Sequence, residues 1–166
     1  GDMIGTGSGI MIGADGYILT NSHVASGGSY YSVRIEEDET AYSTDELVKY
    51  HSVLDLAVLR IERRLVPLPV YRDSQKLVRG QKVVAIGSPL GLFNSVSDGI
   101  ISGFRNMDGV DMIQFTAPTS HGSSGGALLN MYGEVIGIST AGFDNAQNIN
   151  LAVGYESILP FIRGFT

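Results

Sequence analysis

At 166 residues the chain has room for one domain, or for two small barrels sharing an interface. Its formal charge of −6, with no basic run longer than Arg63 and Arg64, leaves no electrostatic footprint for phosphate backbones, so nucleic acid is not an expected partner. The absence of cysteine excludes thiol catalysis, thiolate metal sites and disulfides, and no apolar stretch approaches the ~18 residues of a membrane helix.

A hydrophobic share of 43% against 17% charged marks a globular chain, and 22 glycines mark a turn-rich one, which an all-β fold fits best. No signal-peptide pattern opens the sequence, so as given it reads as mature, truncated or cytoplasmic. Residues 9–13 run into an Asp-Gly turn at Asp15 and Gly16, and 17–20 return: a first hairpin. Residues 30–35 alternate as a strand should, and the acidic stretch 36–39 reads as a solvated loop. Residues 47–50 and 56–61 form a further strand pair. Pro67, Pro69 and the polar segment 72–81 mark a joint between two halves, after which strands restart at 82–87, 99–104, 111–116 and 134–140. About six strands fall on each side, and only 155–163 has a helical apolar pattern.

Between the last of these strands lies Gly-Ser-Ser-Gly-Gly at 122–126, followed by the apolar run 127–129. A flexible linker would have polar, low-complexity flanks; these flanks are strands, so the stretch reads as an exposed serine nucleophile entering a strand. A serine hydroxyl needs a base, and histidine has the fitting pKa. All three histidines, His23, His51 and His121, precede Ser124. This order excludes the α/β-hydrolase elbow that Gly122, Ser124 and Gly126 formally match, because that fold places its acid and histidine after the serine. His51 reads as an outward or half-buried strand residue, and His121 lies on the serine's own loop. His23, at the end of the first hairpin where a short helical turn starts, is the better base. Of the seven aspartates between His23 and Ser124, only Asp55 is embedded in an apolar run, 53–59. An ionised carboxylate there needs a partner, and orienting an imidazole supplies one; the competing reading is an aspartate capping amides at a strand bend.

Five blocks in order carry a resemblance: Thr-Asn-Ser-His-Val at 20–24, Asp-Leu-Ala-Val-Leu at 55–59, Gly-Ser-Pro-Leu-Gly at 87–91, Gly-Ile-Ile-Ser at 99–102, and Gly-Ser-Ser-Gly-Gly-Ala-Leu-Leu-Asn at 122–130 with Gly-Glu-Val-Ile-Gly-Ile at 133–138. From about Gly5 to Ile158 the chain resembles the HtrA (DegP-like) branch of the trypsin-like serine peptidases. The resemblance implies two antiparallel six-stranded β-barrels, 1–75 and 80–154, a C-terminal helix at 155–166 and one peptidase domain in all; as a departure from the family, its usual PDZ domain is not expected in this sequence. It implies a His23, Asp55, Ser124 triad, an oxyanion hole from the amides of Gly122, Ser123 and Ser124, and hydrolysis of polypeptides through an acyl-enzyme. No cofactor and no metal are expected. The runner-up is a silent protease-fold binding or scaffold module; a viral or glutamyl-type peptidase is disfavoured because no histidine lies on 135–140.

Where a trypsin-like enzyme carries a pocket carboxylate, six residues before the nucleophile, this chain has Pro118. The implied pocket walls are Thr119, Gly142 and Ile149, with Thr140 on the substrate-pairing strand and within reach of Asp55, so medium or large apolar side chains are expected. Ser123 replaces the acid that receives a cut N-terminus in trypsin relatives, which removes that zymogen switch. His121 adds a possible second ionisation. The short N-terminal segment makes trimer assembly doubtful, and family analogy leans towards an extracytoplasmic location.

Overall fold

The computed structural model describes residues 7–25, 30–34, 41–72, 76–87, 95–119, 124–140 and 150–166, which contain twelve strands and two short helices. The first half holds β1 (Ile10–Gly13), β2 (Tyr17–Thr20), α1 (Ser22–Ala25), β3 (Tyr31–Arg34), β4 (Ala41–Thr44), β5 (Leu47–His51) and β6 (Leu56–Arg60). The Asp-Gly signal is realised as expected: Gly16 has φ +100°, and its N–H donates to Gly13 O at 3.2 Å to close the β1–β2 turn. The strand then continues into a sheet of order β1-β2-β6-β5, antiparallel throughout. Leu19, Leu56 and Val58 point into the core and are fully buried, as strand alternation demands.

The second half closes. β7 (Lys82–Gly87), β8 (Ser95–Met107), β9 (Val110–Phe115), β10 (Ala127–Leu129), β11 (Val135–Thr140) and β12 (Asn150–Gly154) form a barrel of order β10-β11-β12-β9-β8-β7, with β10 pairing back to β7. β8 is much longer than its apolar pattern suggests because it serves two partners in succession. Its first six residues pair with β7; from Ile101 onward it pairs with β9, with a register shift between Ile101 and Gly103. The β8–β9 turn has positive φ at both Asp108 and Gly109, the tight two-residue hairpin that an Asp-Gly pair favours.

The expected pair of six-stranded barrels is therefore found only in part. Six strands do precede the joint and six follow it, but only the second set is a closed barrel. In the first set β3 and β4 pair with each other alone among the described residues, apart from the four-stranded sheet. The acidic stretch 36–39 lies outside the described residues.

The halves share one apolar cluster, running from Ile10, Leu19 and Val58 through Phe115 and Ile138 to Ile158 and Ile162. Backbone bonds reinforce it: Val135 N–H donates to Pro69 O, and Tyr71 N–H to Val135 O, both at 2.8 Å, so the segment leaving β6 is pinned to β11. The short C-terminal helix is present as expected: α2 (Tyr155–Phe161) follows β12 directly and buries Tyr155, Ile158 and Phe161. Lys49 of β5 donates to Phe161 O at 3.0 Å and lies over the Phe161 ring, fastening the helix to the first half.

Gly16 tests the first hairpin. A Cβ there meets Ile61 O at 2.0 Å, in a backbone conformation that side chains resist. Gly16→Ala is expected to cost about 3 kcal/mol, read as a lower urea midpoint at unchanged denaturant slope.

Candidate active site

The site is built around a turn. Residues 52–55 connect β5 to β6, and Asp55 takes φ +57°, with its N–H donating to Ser52 O at 3.3 Å. Aspartate is among the few non-glycine residues that enter this region readily. Asn21, fully buried between β2 and α1, donates its amide to Asp55 O at 3.0 Å and so holds the turn from outside. Its Oδ1 is the one buried side-chain polar atom without a partner among the described residues.

The apolar run 53–59 predicts a buried carboxylate, and the structure finds it only partly buried, at the bend ahead of the strand. Val53 is exposed, burial begins at Leu56, and the Asp55 side chain keeps 20% of its accessibility. The carboxylate sits at the mouth of a turn and is satisfied by hydrogen bonds. Four donors reach it. Oδ2 takes His23 Nδ1 at 2.7 Å and Thr140 Oγ1 at 2.9 Å; Oδ1 takes the His23 backbone N–H and Ser22 Oγ, each at 2.9 Å. Ser22 and His23 come from α1 and Thr140 from the last position of β11, so the closed barrel and the first half meet on this one group. The Thr140 bond is the contact expected from the sequence.

These bonds set the charges. The hydrogen bond that His23 donates to Asp55 raises the His23 pKa above its ordinary 6.5; partial burial works against this, and the carboxylate's charge adds to it. Burial alone pushes Asp55 up, but the bonds from the His23 ring, the His23 N–H, Ser22 and Thr140 together outweigh it and hold the carboxyl below its ordinary 3.8. The raised His23 value means that its contribution to stability is complete below pH 6.5 and is lost as pH rises through the folded value. The lowered Asp55 value means that its contribution is complete above 3.8 and is lost as pH falls through the folded value. One ion pair underlies both, and it is fully formed between those limits.

Ser124, expected from the sequence to be exposed, is buried, and it stands three residues before the start of β10. Its carbonyl accepts Ser8 N–H at 2.8 Å, and Ser8 O in turn accepts Thr20 Oγ1 at 2.8 Å, just ahead of Asn21, Ser22 and His23. The N-terminal segment thus spans from the serine's backbone to the end of β2, which leads into the element that carries the histidine. Gly125 makes this approach possible: at φ +90° a Cβ would meet Ser8 O at 2.1 Å. Its N–H donates to Ser139 O, and Ser139 N–H to Gly126 O, each at 2.9 Å, which fixes the segment after the serine to β11.

The other sequence-derived positions divide. Gly122, Ser123, His121, Gly142 and Ile149 lie outside the described residues. Thr119 is described, and its hydroxyl donates to Asn150 Oδ1 at 2.9 Å, while Asn150 Nδ2 donates to Ala117 O at 2.8 Å. His51, read as a strand filler, ends β5 and accepts Leu54 N–H on Nδ1 at 3.1 Å, one residue before Asp55; its ring stands edge-on to Phe161. Asn21 and Ser22 stand in the 20–24 block, but the sequence assigns them no role of their own, and Asn150 has no signal in the sequence. Among the described residues no cluster of His, Asp or Glu could hold a metal, and no helix is long and apolar enough to cross a membrane.

A trypsin-like peptidase domain matches residues 7–138. A Pseudomonas putida protein named a probable periplasmic serine endoprotease, DegP-like, is 39% identical over 138 residues, covering 81% of this chain and 28% of the relative. The serine protease HTRA1 of Xenopus laevis is 36% identical over 167 residues, covering 95% of this chain and 35% of the relative. The solved structure of an HtrA-type protease, AlgW with a decapeptide, superimposes with a TM-score of 0.83 at 35% identity, covering 92% of this chain and 49% of that one. The chain belongs to the trypsin-like peptidase family, in its HtrA/DegP-like branch, and its fold is chymotrypsin-like by that homology. It spans about a third of the length of these two curated relatives.

The coupling of His23 to Asp55 can be measured directly. NMR titration of the His23 ring is expected to give a midpoint above 6.5 in the native protein. Asp55→Asn, which removes the charge and turns one of the two acceptor oxygens into an NH2 donor, should lower that midpoint; an unchanged value would mean that the 2.7 Å contact does not form in solution.

Proposed function

We propose that this chain is a serine endopeptidase in which Ser124 is the nucleophile, His23 the general base and acid, and Asp55 the group that orients His23. The observation that carries this reading is the 2.7 Å hydrogen bond between His23 Nδ1 and a carboxylate that accepts three further donors. With Nδ1 committed to Asp55, the neutral imidazole leaves Nε2 as its basic lone pair, the tautomer that proton abstraction from a serine requires. Ser124 Oγ attacks the scissile carbonyl as its proton passes to Nε2. The imidazolium is stabilised by Asp55 and returns the proton to the leaving amine, giving an acyl-enzyme. Water, deprotonated by the same nitrogen, then releases the acid and regenerates Ser124.

The developing oxyanion is assigned to the amides of Gly122, Ser123 and Ser124, where glycine at 122 lets the peptide turn its N–H towards substrate. The substrates are polypeptides, as the relatives' names imply for those proteins. The primary pocket, assigned to Thr119, Thr140, Gly142 and Ile149, has Pro118 in place of a carboxylate and should accept uncharged apolar side chains. We assign residues 1–75 to an N-terminal barrel, 80–154 to the C-terminal barrel and 155–166 to the terminal helix of one peptidase domain. The relatives named periplasmic support an extracytoplasmic location.

A fluorophosphonate probe should label the protein, and Ser124→Ala should abolish both labelling and hydrolysis; a protein that never labels is a scaffold instead. Because His23 must be neutral to act, and its pKa is raised, the acid limb of kcat/KM should fall above pH 6.5. A peptide library should show Leu, Met or Phe before the cleaved bond, whereas strong selection for Arg or Glu would refute the pocket assignment.

A further inference from the structure

Asp55 receives more donors than holding an imidazole requires, and one of them is peculiar to the residue before the histidine. An ionised carboxylate offers about four lone-pair directions. On Oδ2 they are taken by His23 Nδ1 and Thr140 Oγ1, and on Oδ1 by the His23 backbone N–H and Ser22 Oγ. Ser22 is buried, and its hydroxyl and the next residue's N–H grip the same oxygen. This two-point hold fixes the carboxylate's rotation about its Cβ–Cγ bond, while Asn21, one residue earlier, holds the Asp55 backbone carbonyl.

We propose that Ser22 is a positioning residue of the site, its hydroxyl setting the rotation and the effective charge of the Asp55 carboxylate that faces His23. The inference rests on the reading of His23 and Asp55 as catalytic partners. Without the hydroxyl, Oδ1 keeps a single donor and the carboxylate concentrates more charge on the oxygen facing the imidazole. That favours imidazolium. It also frees the group to pivot, so His23 is aimed less well.

Among the described residues, the groups facing the pair are few. α1 contributes His23 itself and the neutral Ser22, β2 leads into the neutral Asn21, and β11 contributes the neutral Thr140. His51, at the end of β5, turns Nδ1 to Leu54 N–H, and Lys49 is directed to Phe161 O. His121 lies outside the described residues, so His23 must be assigned separately from both other histidines.

The test uses the whole chain as wild type, Ser22→Ala and Ser22→Cys. The cysteine variant keeps the volume but offers only a weak donor, and carries the test if the alanine variant does not fold. The His23 ring is titrated by NMR, and hydrolysis of an apolar-site peptide is followed against pH. Loss of one hydrogen bond to a charged group should move the His23 midpoint upward by about half a unit or more. The acid limb of kcat/KM should follow, with kcat down about tenfold and KM changed less than twofold. An unmoved or lowered His23 midpoint in a folded variant overturns the proposal, as does a loss confined to KM. The titration needs no nucleophile. If His23 moves but the wild type neither labels nor hydrolyses, the role of Ser22 stands and the peptidase reading falls; if the wild type is active and His23 does not move, only the role of Ser22 falls.

Discussion

The constraint on which this structure depends is that one partly buried carboxylate must have all its lone pairs met. Burial opposes the charge on Asp55, and only the combined donors from α1 and β11 reverse the balance. Each donor places a demand on the chain. α1 must begin at Ser22 so that a hydroxyl and the following N–H reach one oxygen; β11 must run to Thr140 so that its hydroxyl reaches the other. The 52–55 turn must enter the left-handed region to bring the carboxylate between them. The two halves are therefore joined at the site by a polar contact as well as by the shared apolar cluster, and a shift of one against the other would strand a charge.

A second polar chain runs parallel to the first. Thr20 holds Ser8, Ser8 holds the Ser124 carbonyl, and Gly125 supplies the backbone geometry that allows Ser8 so close. Thr20, Asn21, Ser22 and His23 thus have successive tasks: the first positions the serine's segment, the next two hold Asp55 by backbone and by side chain, and the fourth takes its proton-bearing contact. The signal for this in the sequence is a run of small polar residues at the end of a strand, where hydroxyls and amides compete well for backbone partners.

That run explains what the sequence discloses and what it conceals. The Asp-Gly turn at Gly16 and the left-handed glycine after Ser124 are local signals with few structural solutions, and they are readable. The placement of Asp55 is not, because an apolar run announces burial and says nothing of φ; Val53 and Leu54 belong to a turn, and burial starts only at Leu56. Ser22 and Asn21 act on a residue more than thirty positions away, so no spacing reveals them. His51 looks like part of an alternating strand, yet its nitrogen accepts the Leu54 amide, a bond that depends on where the strand ends. The length of β8 is concealed for a similar reason: it is fixed by two partners, β7 and β9, and not by its own composition.

The donors around Asp55 also bear on how such a pair could serve catalysis near neutral pH. A bare carboxylate 2.7 Å from an imidazole would favour the imidazolium so strongly that little neutral base would remain. Ser22, Thr140 and the His23 N–H each draw on the same negative charge, so they keep Asp55 ionised while tempering its pull on His23. In the proposed mechanism the imidazolium is needed only transiently, as the serine proton is transferred, and excess stabilisation of it at rest would be ground-state binding that slows the reaction. A carboxylate shared among several neutral donors meets both requirements. It orients the base at all times, and it retains enough charge to stabilise the cation when it forms.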